Sequence, residues 1–293
     1  NGGNIMEPVS IASSAVQIDL NISTWTARKL DRKVSEEIDG TKKANTRAGN
    51  YNKHLLAGTK QLKDIQSLTG EIRNWHLKQT LPWSDNGTRL LPMSNFFKYK
   101  EQLNEYQHQF DTMVDQLVSD YPQLISLSAY NLGELFDVND YPPAEHIRSK
   151  FNLSYTIIPV PEAGDFRVDI SNDIREELKE QYEDAYQQKV ETAMSSAWSR
   201  LHTTLENMVK KLADPRWDEE DVKNPQVYDS FVGHGMELTS LLTSLNITND
   251  SDLEQARVAL EQALAGVQPD MIKNQPYVRE KLLKDVQSIK DLL

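Results

Sequence analysis

Residues 174–212 read IREELKEQYEDAYQQKVETAMSSAWSRLHTTLENMVKKL, and the spacing of their apolar positions decides the fold class. Ile174, Leu178, Tyr182, Ala185, Val190, Ala193, Ala197, Leu201, Leu205, Met208 and Leu212 recur every three to five residues, which puts them on one stripe of a helix. Neither proline nor glycine interrupts the run. The spacing predicts one unbroken helix over 174–212, entered through Ser171 or Asn172 as N-cap and stopped at Asp214-Pro215. At 1.5 Å per residue such a helix spans about 58 Å.

The same period appears on both sides of it. Leu55, Leu62, Ile65, Leu68, Ile72, Trp75 and Leu77 predict a helix over 51–79, ended by Leu81-Pro82. Phe97, Leu103, Tyr106, Phe110, Met113, Val114 and Leu117 predict another over 95–119, with a bend at Tyr121-Pro122 before a further helix to Gly133. Trp25, Leu30, Val34 and Ile38 predict a helix over 24–39, capped by Ser23 or Thr24, and Asp140-Tyr141-Pro142-Pro143 opens a short one through Phe151. Downstream, helices are expected at 226–245, 250–265 and 276–293. Strand character is confined to Val16–Ile22, which alternates at period two, to a short stretch at 88–91, and to a hairpin in which 154–161 and 165–170 flank Glu162-Ala163-Gly164. Pro159 and Pro161 restrict the first hairpin arm to an edge or a bulge.

The expected fold is mainly α: an elongated bundle of long antiparallel helices (51–79, 95–119 and 174–212) with a small β-hairpin insert. Two domains are expected, a long-helix domain over 6–213 carrying the β insert at about 153–170, and a C-terminal helical unit over 222–293. The acidic run Asp218-Glu219-Glu220-Asp221 with Asn224-Pro225 serves as the linker. Residues 1–5 precede Met6 and read as an addition outside the fold.

Composition narrows the function classes. The absence of cysteine from 293 residues excludes disulfides, thiolate metal sites and thiol nucleophiles, and fits a reducing compartment. There is neither a long apolar run nor a secretory pattern, so a cytoplasmic location is expected, with no membrane partner. A net charge of −12 argues against nucleic-acid binding by the molecule as a whole. Yet residues 25–80 hold twelve Lys and Arg against six acids. That surplus reads either as a solvated helix face neutralised by the acidic remainder or as a docking surface, with Arg28, Lys29, Arg32, Lys33, Lys42 and Lys43 its densest part.

Motifs for catalysis are missing. Gly58-Thr59-Lys60 lacks the glycine five residues earlier that a phosphate loop requires. Glu105-x-x-His108 has the spacing found in di-iron bundles, but such sites need a second copy and two further glutamates, and His202-x-x-x-Glu206 has the wrong order and spacing. His54, His76, His146 and His234 have no ligand or triad spacing, and Gly233-His234-Gly235 reads as a flexible loop. No metal, cofactor or catalytic residue is therefore expected, and the chain reads as a non-enzyme.

Three segments carry a resemblance. Thr80-Leu81-Pro82-Trp83-Ser84-Asp85-Asn86-Gly87-Thr88-Arg89-Leu90-Leu91-Pro92, Tyr130-Asn131-Leu132-Gly133-Glu134-Leu135-Phe136 with Asp140-Tyr141-Pro142, and Pro159-Val160-Pro161-Glu162-Ala163-Gly164-Asp165-Phe166-Arg167-Val168 resemble the hallmark patches of a phage and bacterial family, the domain-of-unknown-function family numbered 3150. The resemblance covers roughly residues 15–210. It implies a phage or prophage origin and, because members are encoded near MoxR-type AAA+ ATPases and von Willebrand factor A-type proteins, an accessory role to an AAA+ ATPase system. It implies no catalytic residue. Within these loops Trp83, Asp85, Arg89, Asp165 and Arg167 stand out, since polar and aromatic loop residues are disproportionately functional. The structural alternative is that Arg89 or Arg167 pairs with Asp85 or Asp165 to lock the loops. The reading that results is a non-enzymatic interaction or scaffold protein with a protein partner or further copies of itself; nucleic-acid binding through residues 28–63 is the alternative.

Overall fold

A computed structural model describes residues 10–162, 172–214, 217 and 225–293. The second hairpin arm, the acidic linker at 218–221, and Asp165 and Arg167 lie outside the described residues. The chain is mainly helical, with small antiparallel sheets. In chain order the elements are β1 (Ala15–Ser23), β2 (Arg28–Asp31), α1 (Arg32–Thr41), β3 (Tyr51–His54), α2 (Gln61–Gln79), β4 (Leu81–Pro82), β5 (Arg89–Pro92), α3 (Phe96–Leu132), α4 (Ala144–Arg148) and β6 (Asn152–Pro159). They continue with α5 (Asn172–Leu212), α6 (Pro225–Leu245), α7 (Ser251–Leu264), α8 (Pro269–Asn274) and α9 (Pro276–Asp291).

Contacts divide the chain into two compact units, each assembled from separate stretches: 1–19, 77–99 and 156–293 form the first, and 20–76 with 100–155 the second. In the first unit α5 packs against α6 and α9, and α7 packs against the same two helices. Ala193, Ala197, Leu201, Leu205, Met208 and Leu212 of α5 are buried together with Leu242, Leu260, Leu282 and Val286. From Val190 onward the stripe read from the sequence is the buried stripe; upstream of it Ile174 and Ala185 are exposed, and Tyr186 is buried in place of Ala185. Each of the leucines, Met208 and Val286 contributes on the order of 1.5–3 kcal/mol through burial, and the many Glu, Lys, Gln and Ala residues of α5 add good helix propensity. The expected loop at Gly233-His234-Gly235 is instead the interior of α6. A Cβ at Gly235 would lie 2.7 Å from Cδ1 of the buried Leu264 on α7, so glycine leaves the room that this side chain occupies.

A four-stranded sheet has the order β4-β5-β1-β6, with β6 at an edge among the described strands, a position that tolerates Pro159. Its register sets Ile18 opposite Arg89, Ala15 opposite Pro92 and Leu81 opposite Leu90, and Ala15, Leu81 and Leu90 face the α5 core.

In the second unit α2 and α3 lie antiparallel: Gln61 donates to Asp120 at one end, and Trp75 meets Tyr106 edge-on at 5.3 Å at the other. Leu62, Ile65, Leu68 and Ile72 of α2 are buried, as are Leu103, Phe110, Val114, Leu117, Tyr121 and Leu124 of α3. Three expectations are corrected here. The two helices expected on either side of Tyr121-Pro122 are one, because α3 runs through Pro122. Pro122 sits on the exposed side of the helix, between buried Tyr121 and Leu124, and the packing of that inner face outweighs the one lost backbone bond. The helix expected over 24–39 begins only at Arg32; residues 28–31 are extended and pair with 51–54, so the helix expected over 51–79 begins at Gln61. Asp31 caps α1, its Oδ1 accepting from Val34 N at 3.0 Å, while Ala27 at φ 47 turns the chain out of the path a helix would take.

Candidate functional site

The β2–β3 ladder places Lys29 directly opposite Lys53, and Arg28 opposite His54. Opposed residues of an antiparallel pair share a face, yet the two lysines differ in fate. Lys29 is exposed and Lys53 is 7% exposed. A buried ammonium needs partners, and Lys53 Nζ has three: Asp140 at 2.6 Å, Asp31 at 3.5 Å and the carbonyl oxygen of Leu135, to which it donates at 2.8 Å. Each partner is itself held. Asp31 is the N-cap of α1, and Ser35 Oγ both donates to Asp31 O at 2.6 Å and accepts from Tyr51 N at 2.9 Å, tying α1 to β3. Asp140 ends a 3-10 turn that Asp137 opens by accepting from Asn139 N, and the next residue, Tyr141, donates its hydroxyl to Leu55 O at 2.7 Å.

The electrostatics follow from that geometry. Burial, the largest single influence, pushes the Lys53 ammonium down, but Asp140 and Asp31 together outweigh it and hold it above its usual 10.5. The Asp31 carboxyl is held below 3.8, first by the Val34 N–H and then by the charge of Lys53, against an opposing desolvation. Lys53 thus keeps its proton and has its donors engaged. It acts as a cross-link between β3, β2 and the 135–140 turn, not as a nucleophile or base.

Above this centre opens a cavity of about 1030 Å³ whose walls include Lys29, Arg32, Lys33, Glu134 and Asp137. Arg28 and Lys29 lie on β2, Arg32 and Lys33 in the first turn of α1, Lys42 at its C-cap and Lys43 just beyond. All six are exposed, and none has an ion-pair partner among the described residues. Lys42 and Lys43 sit where the helix dipole favours cations.

Trp83, Asp85 and Arg89 lie in the first unit. Trp83 is buried edge-on against Tyr186 at 5.7 Å, with Lys189 Nζ 5.4 Å from its ring centre. Asp85 is exposed in the turn before β5. Arg89 does not pair with it: its guanidinium donates to Thr80 Oγ1 at 2.6 Å, Thr80 O at 3.0 Å and Leu77 O at 3.4 Å. The carbonyls at the C-terminal end of a helix lack intrahelical donors, and at the end of α2 Arg89 supplies them. Arg200, which the sequence reading passed over, does the same, donating to Lys78 O at 2.7 Å, Leu77 O at 3.0 Å and Thr80 O at 2.6 Å.

Glu105 and His108 are exposed on α3, and among the described residues no three His, Asp or Glu side chains gather as a metal-binding group. No described helix is long and apolar enough to cross a membrane. Comparison of the chain with protein-family models, curated proteins and solved structures returns no match.

Proposed function

We propose that this protein is a non-enzymatic interaction or scaffold protein that receives an acidic segment of a partner protein on the β2/α1 face. The observation that carries the reading is the set of six exposed cations, Arg28, Lys29, Arg32, Lys33, Lys42 and Lys43, unpaired among the described residues. They stand on a base fixed by the Lys53 cross-link. Fixed charge on a rigid base favours recognition because less side-chain and loop order is lost on binding. Exposed Glu36 and Glu37 on α1, with Glu134 and Asp137 on the cavity wall, break the positive field into a mixed pattern. That suits a protein segment better than a continuous run of phosphates. The resemblance to family 3150 makes a MoxR-type ATPase the first partner to try, and the acidic remainder of the chain makes a second copy the next.

The test is fluorescence anisotropy with a labelled Asp/Glu-rich peptide and a labelled single-stranded DNA, at low and high salt, on the full chain and on a variant carrying R28E, K29E, R32E and K33E. Salt-sensitive peptide binding that the variant loses by at least about tenfold is expected. DNA binding tighter than peptide binding, lost in the same variant, overturns the reading in favour of a nucleic-acid protein.

A further inference from the structure

A second cavity, of about 630 Å³, lies in the first unit between the end of α2, α5 and α6. On α5 it is lined by Ser196, Ser199, Arg200, Thr203 and Thr204, whose three- and four-residue spacing puts them on one face of the helix. His234, Glu237, Leu238 and Leu241 of α6 repeat that spacing opposite them, and Leu77 and Lys78 close one side. Hydroxyls and cations thus share the cavity with a leucine wall.

Its charge is unbalanced. Arg89 and Arg200 converge on the same carbonyls, Leu77 O and Thr80 O. The end of a helix offers about −0.5 of an elementary charge, against the two full positive charges brought to it. Among the described residues neither guanidinium has a carboxylate partner, and Arg200 engages three of its five N–H groups, leaving two without an acceptor. The positions agree with the electrostatics: desolvation first, and then the charge of Arg89, lower the Arg200 guanidinium to about 10.

We propose that this cavity binds a small organic anion, with a carboxylate or phosphoryl group against Arg200 and the α5 hydroxyls and an apolar body against Leu77, Leu238 and Leu241. Glu237 opposes the ligand's charge and limits its affinity. Isothermal titration of the full chain with benzoate, phenyl phosphate and uncharged benzamide tests the proposal, and the first two separate carboxylate from phosphoryl sources. One saturable site is expected for at least one of the anions, with benzamide weaker by about tenfold or more. Two variants at exposed positions locate the site without touching the core: Ser199→Glu weakens anion binding about tenfold, and Glu237→Gln tightens it about two- to fivefold. Opposite signs from two surface changes do not arise from a general loss of structure. Equal binding of benzamide, absence of saturable binding for both anions, or weakening by Glu237→Gln overturns the proposal.

Discussion

Replacing Lys53 by methionine keeps most of the side chain's volume and removes its charge, which isolates the electrostatic role of the centre. The substitution leaves Asp31 and Asp140, 16% and 14% exposed, beside each other with no ammonium between them, and leaves Leu135 O without its donor. Removing one partner of a fully buried pair costs about 3–5 kcal/mol. The carboxylates retain some water, which screens them, so about 2–3 kcal/mol is expected. Urea unfolding followed by far-UV circular dichroism measures it. Adding Asp140→Asn to the Lys53→Met chain removes the second charge and restores about 1–2 kcal/mol. The pH dependence has a definite sign. Asp31, depressed on folding, stabilises above its unfolded value near 3.8, and that contribution is lost as pH falls through the lower folded value. Lys53, raised on folding, stabilises below its unfolded value near 10.5, and that contribution is lost as pH rises through the higher folded value. The penalty of Lys53→Met is therefore flat between these limits and shrinks outside them. A loss below about 0.5 kcal/mol at neutral pH, or a double variant no more stable than Lys53→Met alone, refutes the reasoning.

Glycine positions supply the other expectations. Gly58 has φ +79, and a Cβ there would lie 2.7 Å from Asn131 Nδ2, the group that donates to Ala57 O; Gly58→Ala is expected to lower stability by about 1–3 kcal/mol in the same urea assay. Gly70→Ala, inside α2 with nothing within 4 Å of the new Cβ, raises thermal stability by the helix-propensity difference of about 1 kcal/mol. Gly235→Ala in α6 gains the same propensity but collides with Leu264 Cδ1, so a melting-temperature rise as large as that of Gly70→Ala contradicts the close α6–α7 approach.

The parts legible from sequence were those in which local pattern and tertiary burial ask for the same thing. On α5 from Val190 onward, apolar spacing marks the buried stripe because a long helix has only one way to hide it. The failures at 24–39 and 51–79 come from strands of four residues, too short for their alternation to stand out, and the ladder bonds that stabilise them join positions twenty or more residues apart. Trp25, Leu30, Val34 and Ile38 fit a helical template although Leu30 is in a strand. The short α8 went unread because Pro269 at its first turn resembles a loop signal as much as a helix start. For the candidate site, composition alone marked the six exposed cations, since unpaired surface charge needs no fold to be noticed. Lys53 had no such mark: it became distinctive only through Asp140, eighty-seven positions further on, and Arg200 only through the carbonyls at the end of α2.

The interleaving of the two units has a consequence for how such a chain can be cut and recombined. A continuous fragment that includes all of 20–76 and 100–155 also carries 77–99, and with it β4, β5 and Arg89. A continuous fragment that includes every stretch of the first unit is the whole chain. No single breakpoint releases either unit intact, so neither can be duplicated, lost or fused elsewhere by one crossover. The basic face and the Arg200 cavity are inherited together, and any lineage that keeps one by simple recombination keeps the other's framework with it.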